Sequence, residues 1–160
     1  MIALRVVLAL TMIAGIGACD TAEEQHTFEN QAFTDPIGFT RTTESGKIES
    51  EDEDDWRISP AYHGRIIIEP AFPNPVPSGA SVTIPVRVRF SDSVRGGLEV
   101  TTYDSNGIPR RLDSIRDAGD TGAYVFKFSP RVLAFKGLIR VFIVDTRGRL
   151  VSYGDLQTNG

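Results

Sequence analysis

Between Ser81 and Phe90 the chain alternates without a break. Val82, Ile84, Val86, Val88 and Phe90 are apolar, and Ser81, Thr83, Pro85, Arg87 and Arg89 separate them. A period of two puts the five apolar side chains on one face of an extended strand, whereas a helix would spread them around its axis. Such a strand needs an apolar surface on one side and tolerates water on the other, as in a two-layer β-structure. Pro85, on the polar side, lacks an N–H for a ladder and points to an edge position or a bulge.

The neighbouring segments keep this rhythm. Arg65-Ile66-Ile67-Ile68-Glu69 is a short β-branched run and reads as a first strand. Pro70, Pro73, Pro75 and Pro77 interrupt regular pairing, and Asn74 between two of them is pushed toward an extended conformation. Leu98, Val100 and Thr102 alternate with Glu99, Thr101 and Tyr103. Asp104-Ser105-Asn106-Gly107 then supplies a turn into Ile108 to Leu112. Tyr124, Phe126 and Phe128 share a face. Leu138 to Val144 is apolar on both faces except at Arg140, as a central strand requires, and Thr146-Arg147-Gly148 turns into Arg149 to Tyr153. With no segment of helical period, the expected fold is all-β: a single antiparallel Ig-like or fibronectin-like β-sandwich of about seven strands over residues 56–160. No Cys…Trp…Cys pattern occurs, which excludes an antibody-type domain.

Charge is divided along the chain. From Asp20 to Trp56 twelve acids face only Arg41 and Lys47, whereas from Arg57 onward fourteen Arg or Lys outnumber nine acids. The overall net charge of −4 hides this split. Residues 19–55 have few aliphatics and no sustained periodicity, so they are expected to form an acidic, disordered tether. Glu51 to Asp55 lacks the loop glycine and terminal glutamate of a calcium loop and reads as a solvated charge run.

Residues 1–18 have the three parts of a secretory signal: Arg5 near the start, an apolar run from Val6 to Ile13, and small residues up to Ala18. The apolar run is too short to span a bilayer, which takes about 20 residues. Ile16-Gly17-Ala18-Cys19 then resembles a lipobox, the cleavage motif of bacterial lipoproteins. The resemblance implies diacylglycerol on Cys19, cleavage before it, and anchorage to the cell envelope by lipid. Cys19 is the only cysteine, so no intramolecular disulfide can form. Asp20, Glu23 and Glu24 resemble surface-export signals of some Gram-negative lipoproteins. An aspartate directly after the cysteine instead suggests inner-membrane retention in enteric bacteria. The outer membrane is favoured, and the leaflet stays open.

A second resemblance covers most of Phe72 to Leu156. Phe72-Pro73-Asn74-Pro75, Val82-Thr83-Ile84, Leu98 to Gly107, and Gly137 to Asp145 together resemble the "PNP" Ig-like C-terminal modules of Bacteroidota-type secreted proteins. They are similar also to the Ig-like domain of flagellar hook-capping proteins. Here no cargo domain precedes the module, so the resemblance implies a fold and carries no sorting role or functional residue.

No catalytic constellation emerges. The two histidines, His26 and His63, have no metal-ligand spacing and no nucleophile or orienting acid assigned to them. No phosphate-cradling glycine motif occurs. The chain therefore reads as a non-enzyme without cofactor or metal. Arg87, Arg89, Arg110, Arg111 and Arg116 are either a basic patch or charges protecting exposed strands. The favoured function is a membrane-anchored, non-catalytic module that contacts an envelope protein or glycan, with no nucleic-acid partner. The alternative is a small-ligand or carbohydrate binder using Trp56, Tyr62, Tyr103 and Tyr153. Clustering of these aromatics in an open groove would favour the second, and dispersal into the core the first.

Overall fold

A computed structural model describes residues 16–129 and 136–158, with the backbone alone for 16–20. The chain divides into two compact units, Met1–Thr34 and Asp35–Gly160.

In the first unit, Ile16–Ala32 forms a helix, α1. It is rich in Ala, Glu and Gln, which lose little side-chain freedom in a helix. Gln25 Nε2 donates to Glu29 Oε1, and the side chains of His26 and Asn30 are hydrogen-bonded, each pair one turn apart. The helix stops where Phe33 and Thr34 donate back to the carbonyls of Asn30 and Gln31, just before Asp35-Pro36. The expected tether is therefore helical over this stretch. Propensity and these side-chain pairs favour α1, in which Phe28 and Ala32 are buried but no sustained apolar stripe announces the helix. Most of the expected signal segment, residues 1–15, lies outside the described residues.

The second unit is an antiparallel sandwich. Its strands are β1 (Arg41–Thr42), β2 (Ile48–Ser50), β3 (Ile66–Ile68), β4 (Val82–Val88), β5 (Leu98–Tyr103), β6 (Pro109–Ile115), β7 (Gly122–Phe128), β8 (Gly137–Asp145) and β9 (Leu150–Thr158). One sheet runs β3–β4–β7 and the other β6–β5–β8–β9, while β1 and β2 pair separately. The seven strands of the two large sheets give the fibronectin-like sandwich expected. Ile66, Ile68, Val82, Ile84, Val86, Val88, Phe126 and Phe128 face Leu98, Val100, Ile139, Val141, Ile143 and Leu156 across one core.

Pro85 occupies the central strand of its sheet in unbroken register with β7, neither the edge position nor the bulge expected. In an antiparallel strand, the N–H and C=O of one residue point to the same neighbour. Pro85 accepts the Glu69 N–H at 3.1 Å, so its missing donor faces the side of β3, just past Ile68. The ladder to β7 loses nothing. Phe90 departs from the alternation too: β4 ends at Val88, in the last row with Ile66 of β3 and Gly122 of β7, and Phe90 beyond it is exposed.

Residues 35–55 are not a tether either, and the folded unit starts at Asp35 rather than Trp56. Thr42 exchanges backbone hydrogen bonds with Asn74 in the proline corner, and its hydroxyl donates to the Ala71 carbonyl. From there the chain runs along the free edge of β9. Ser59 N–H donates to Val151, Ser152 Oγ to the Arg57 carbonyl, and Asp155 N–H to Asp55 Oδ1. Farther along, Val76 N–H donates to the Gln157 carbonyl. An edge strand that would otherwise present open donors and acceptors is thus covered. Trp56, with φ of 58°, turns its ring into the core against Gly154. A Cβ at Gly154 would fall on the indole, so only glycine fits there.

Candidate functional site

The densest polar chemistry lies where the edge-covering segment, the proline corner and β8–β9 meet. Asp55 closes the acidic run, and its two carboxylate oxygens accept the N–H groups of Thr40 (2.7 Å) and Asp155 (2.6 Å). Asn74, held between Pro73 and Pro75, donates to the carbonyls of Thr40 and Asp155 and accepts the Gln157 N–H, each at 2.9 Å. Across the β8–β9 ladder, Arg140 stands opposite Asp155 and grips it through Nε (2.8 Å) and an outer nitrogen (2.6 Å). Its guanidinium lies 4.9 Å from the centre of the Tyr153 ring.

Burial dominates the electrostatics. It pushes Asp55 up to about 7, against the pull of its two N–H donors, and the nearby charge of Asp155 adds to the rise. Burial also raises Asp155, and Arg140 opposes it. Arg140 itself is held above its ordinary value: burial disfavours its charge, but the hydrogen bonds and charge of Asp155 outweigh that. Asp55, Asn74, Arg140 and Asp155 bind one another and the backbone, so the cluster works as a clamp. The buried Trp56 Nε1 beside Asp55, by contrast, has no hydrogen-bond partner among the described residues.

Beside the clamp is an open depression of about 620 Å³, lined among others by Phe39, Arg41, Glu51, Asp52, Glu53 and Leu138. The Arg41 guanidinium sits 5.5 Å from the Phe39 ring centre. Glu51, Glu53 and Asp54 face solvent as the charge-run reading has it, but Asp55 does not. The depression offers carboxylates and no nucleophile–base pair. Among the described residues no cluster of three or more His, Cys, Asp or Glu is disposed to hold a metal ion.

The residues singled out by sequence are scattered. Cys19 lies within α1, and its side chain is outside the described residues. His26 contacts Asn30 on α1, and His63 is exposed after a short 3₁₀ turn, Pro60–Tyr62. Of the four aromatics, Trp56, Tyr62 and Tyr153 are buried and only Tyr103 is exposed. Tyr62 donates to Asp145 Oδ2 at 2.8 Å, and burial together with that carboxylate pushes its hydroxyl up to about 12. The five arginines do not form one patch. Arg110 and Arg111 pair with Asp104 and Glu99 on the four-stranded sheet, whereas Arg87 extends from the other sheet. Sequence reasoning missed Asn74, Arg140 and Asp155 as a unit. The available signal was Arg140 itself, the one charge in the otherwise apolar run from Leu138 to Val144, which demands a buried partner.

Compared with known proteins, the chain matches no family model, no curated protein and no solved structure.

Proposed function

We propose that the chain is a lipid-anchored envelope lipoprotein whose β-sandwich is a non-catalytic interaction module. The observation that carries the anchor is Ile16-Gly17-Ala18-Cys19, with the only cysteine of the chain standing directly behind an apolar leader and small residues. Two or more acyl chains on Cys19 would hold the protein stably, where one would hold it only marginally. The outer membrane is the favoured site.

The non-catalytic reading is supported by the roles of the polar groups. Asp55, Asn74, Arg140 and Asp155 bind one another and the backbone, so they are occupied structurally. The burial of Trp56, Tyr62 and Tyr153 favours a module that contacts an envelope protein or glycan over a carbohydrate binder built on those rings. The likeness to secreted "PNP" modules is one of fold alone.

Growth with labelled palmitate tests the anchor. The wild-type chain should be labelled and membrane-associated, and Cys19→Ala should lose both properties. A Cys19→Ala protein that stays in the membrane through an alkaline wash would sink the proposal.

A further inference from the structure

The outward face of the β3–β4–β7 sheet is exposed, and it combines two properties. Its side chains fall in ladder rows: Arg65 beside Arg89, then Ile67 beside Arg87, then Pro85 beside Val125, then Thr83 beside Lys127. Arg65, Ile67, Arg87, Arg89, Val125 and Lys127 all stand in solvent. Among the described residues, none of these four cations has a carboxylate within ion-pairing distance. Arg110 and Arg111 on the other sheet, by contrast, each meet an acid. Two acids border these cations: Glu69, just past β3 and opposite Pro85, and Asp113 of β6, whose Oδ2 accepts the Lys127 backbone N–H at 2.7 Å.

Charges that merely protect strand edges belong on edge strands, yet Arg87 lies on the central strand. Ile67 and Val125, 36% and 51% exposed, are interleaved with the cations. A soluble polyanion has no use for these aliphatic groups. A bilayer surface has: guanidinium and ammonium groups bind phosphates while short apolar side chains enter the headgroup layer.

We propose that this sheet face docks on an anionic phospholipid surface. The inference rests on the lipid-anchored reading for its setting, because a tethered domain meets such a surface continually. Each cation brought to an anionic leaflet strengthens attachment by about fivefold. Several together turn a tethered domain into one lying on the membrane.

The test uses the chain from residue 19 onward carrying Cys19→Ser, which cannot be acylated. Co-sedimentation is measured with vesicles of equal parts phosphatidylglycerol and phosphatidylcholine, and with phosphatidylcholine alone. Binding should occur only to the anionic vesicles and should weaken with salt. Arg87→Glu with Lys127→Glu should weaken it more than about tenfold. Ile67→Ser with Val125→Ser should weaken it several-fold. Arg110→Glu with Arg111→Glu, on the opposite sheet, should change it little. The substituted side chains on the proposed face are exposed, so those variants should keep the parent urea midpoint. The proposal is overturned if the anionic vesicles are not bound, or if both charge reversals weaken binding equally. It is also overturned if the serine pair has no effect while inorganic polyphosphate binds as well as the vesicles. Because the probe chain has no lipid, failure here leaves the palmitate result untouched, and failure of labelling leaves this result untouched.

Discussion

Asp55 and Asp155, one hundred residues apart, are joined by a 2.6 Å hydrogen bond from the backbone of the second to the carboxylate of the first. The Asp155 carboxylate is occupied by Arg140, so two buried acids depend on one cation. Burial above all, with the Asp155 charge adding to it, pushes Asp55 from an ordinary 3.8 up to about 7. A group raised in the folded state favours folding fully below its unfolded value, and that contribution is lost as pH rises through the folded value. Asp155, also raised by burial, acts in the same sense. Asp145 acts in the opposite sense. Burial pushes it up, but the Arg149 backbone N–H and guanidinium, the Tyr62 hydroxyl and the Arg147 N–H bring it below its ordinary value. Its contribution is present above the unfolded value and lost on acidification. Urea midpoints should thus be higher at about pH 5 than at about pH 8, and Asp55→Asn should shrink that difference. An unchanged difference in the variant would show that Asp55 is not the group responsible.

Gly154 and Gly107 give a contrast between packing and backbone conformation. An added methyl at Gly154 meets the Trp56 indole, whereas at Gly107 it meets nothing within 4 Å. Gly107, however, has φ of +72° in the β5–β6 turn. Gly154→Ala should cost about 1–3 kcal/mol by overpacking, with an altered Trp56 fluorescence maximum. Gly107→Ala should cost about 1 kcal/mol through backbone strain and leave the emission where it was. Chemical denaturation followed by fluorescence reads both.

Phe142 lies on the sheet face opposite Val141, buried edge-on against Tyr103 with ring centres 5.4 Å apart. Phe142→Ala should cost about 3–5 kcal/mol through lost transfer and a cavity. Val141→Asp should cost more, because it strands a charge in the core. Arg87→Ala, exposed on the other sheet, should stay within about 0.5 kcal/mol. A silent Phe142→Ala beside a damaging Arg87→Ala would contradict this register.

Amide exchange tests the covered edge. The N–H groups of Thr40, Thr42 and Asp155 are bonded within the folded unit and should exchange slowly, whereas Glu53, in the exposed turn, should exchange fast. A chain beginning at Trp56 should lose protection at Asp155. Uniformly fast exchange over 36–55 would return the segment to the status of a tether.

Local pattern and long-range pairing were unequally visible in the sequence. The alternation of Val82 to Val88 and the doubly apolar Leu138 to Val144 encode their own burial, so seven strands and two layers could be read from them. Asp55 could not be told from Asp54 beside it. The difference between them is made by Thr40 and Asp155, and no local window contains all three. Pro85 misled for a related reason: its tolerance depends on where β3 ends, which is set by the partner strand. Arg140 was legible as an anomaly but not as a pair, since its partner lies across a hairpin with an irregular register.

The edge cover also has a temporal meaning. Residues 55–59 leave the ribosome, and any export channel, long before Leu150–Thr158, the strand whose edge they cover. The first-made part of the domain must therefore wait, unsatisfied, for the last-made part. Contacts of such sequence separation form late in folding. Until β9 arrives, the clamp lacks Asp155 and the core lacks the glycine against which Trp56 rests. A domain ordered in this way closes its edge only once β9 has emerged.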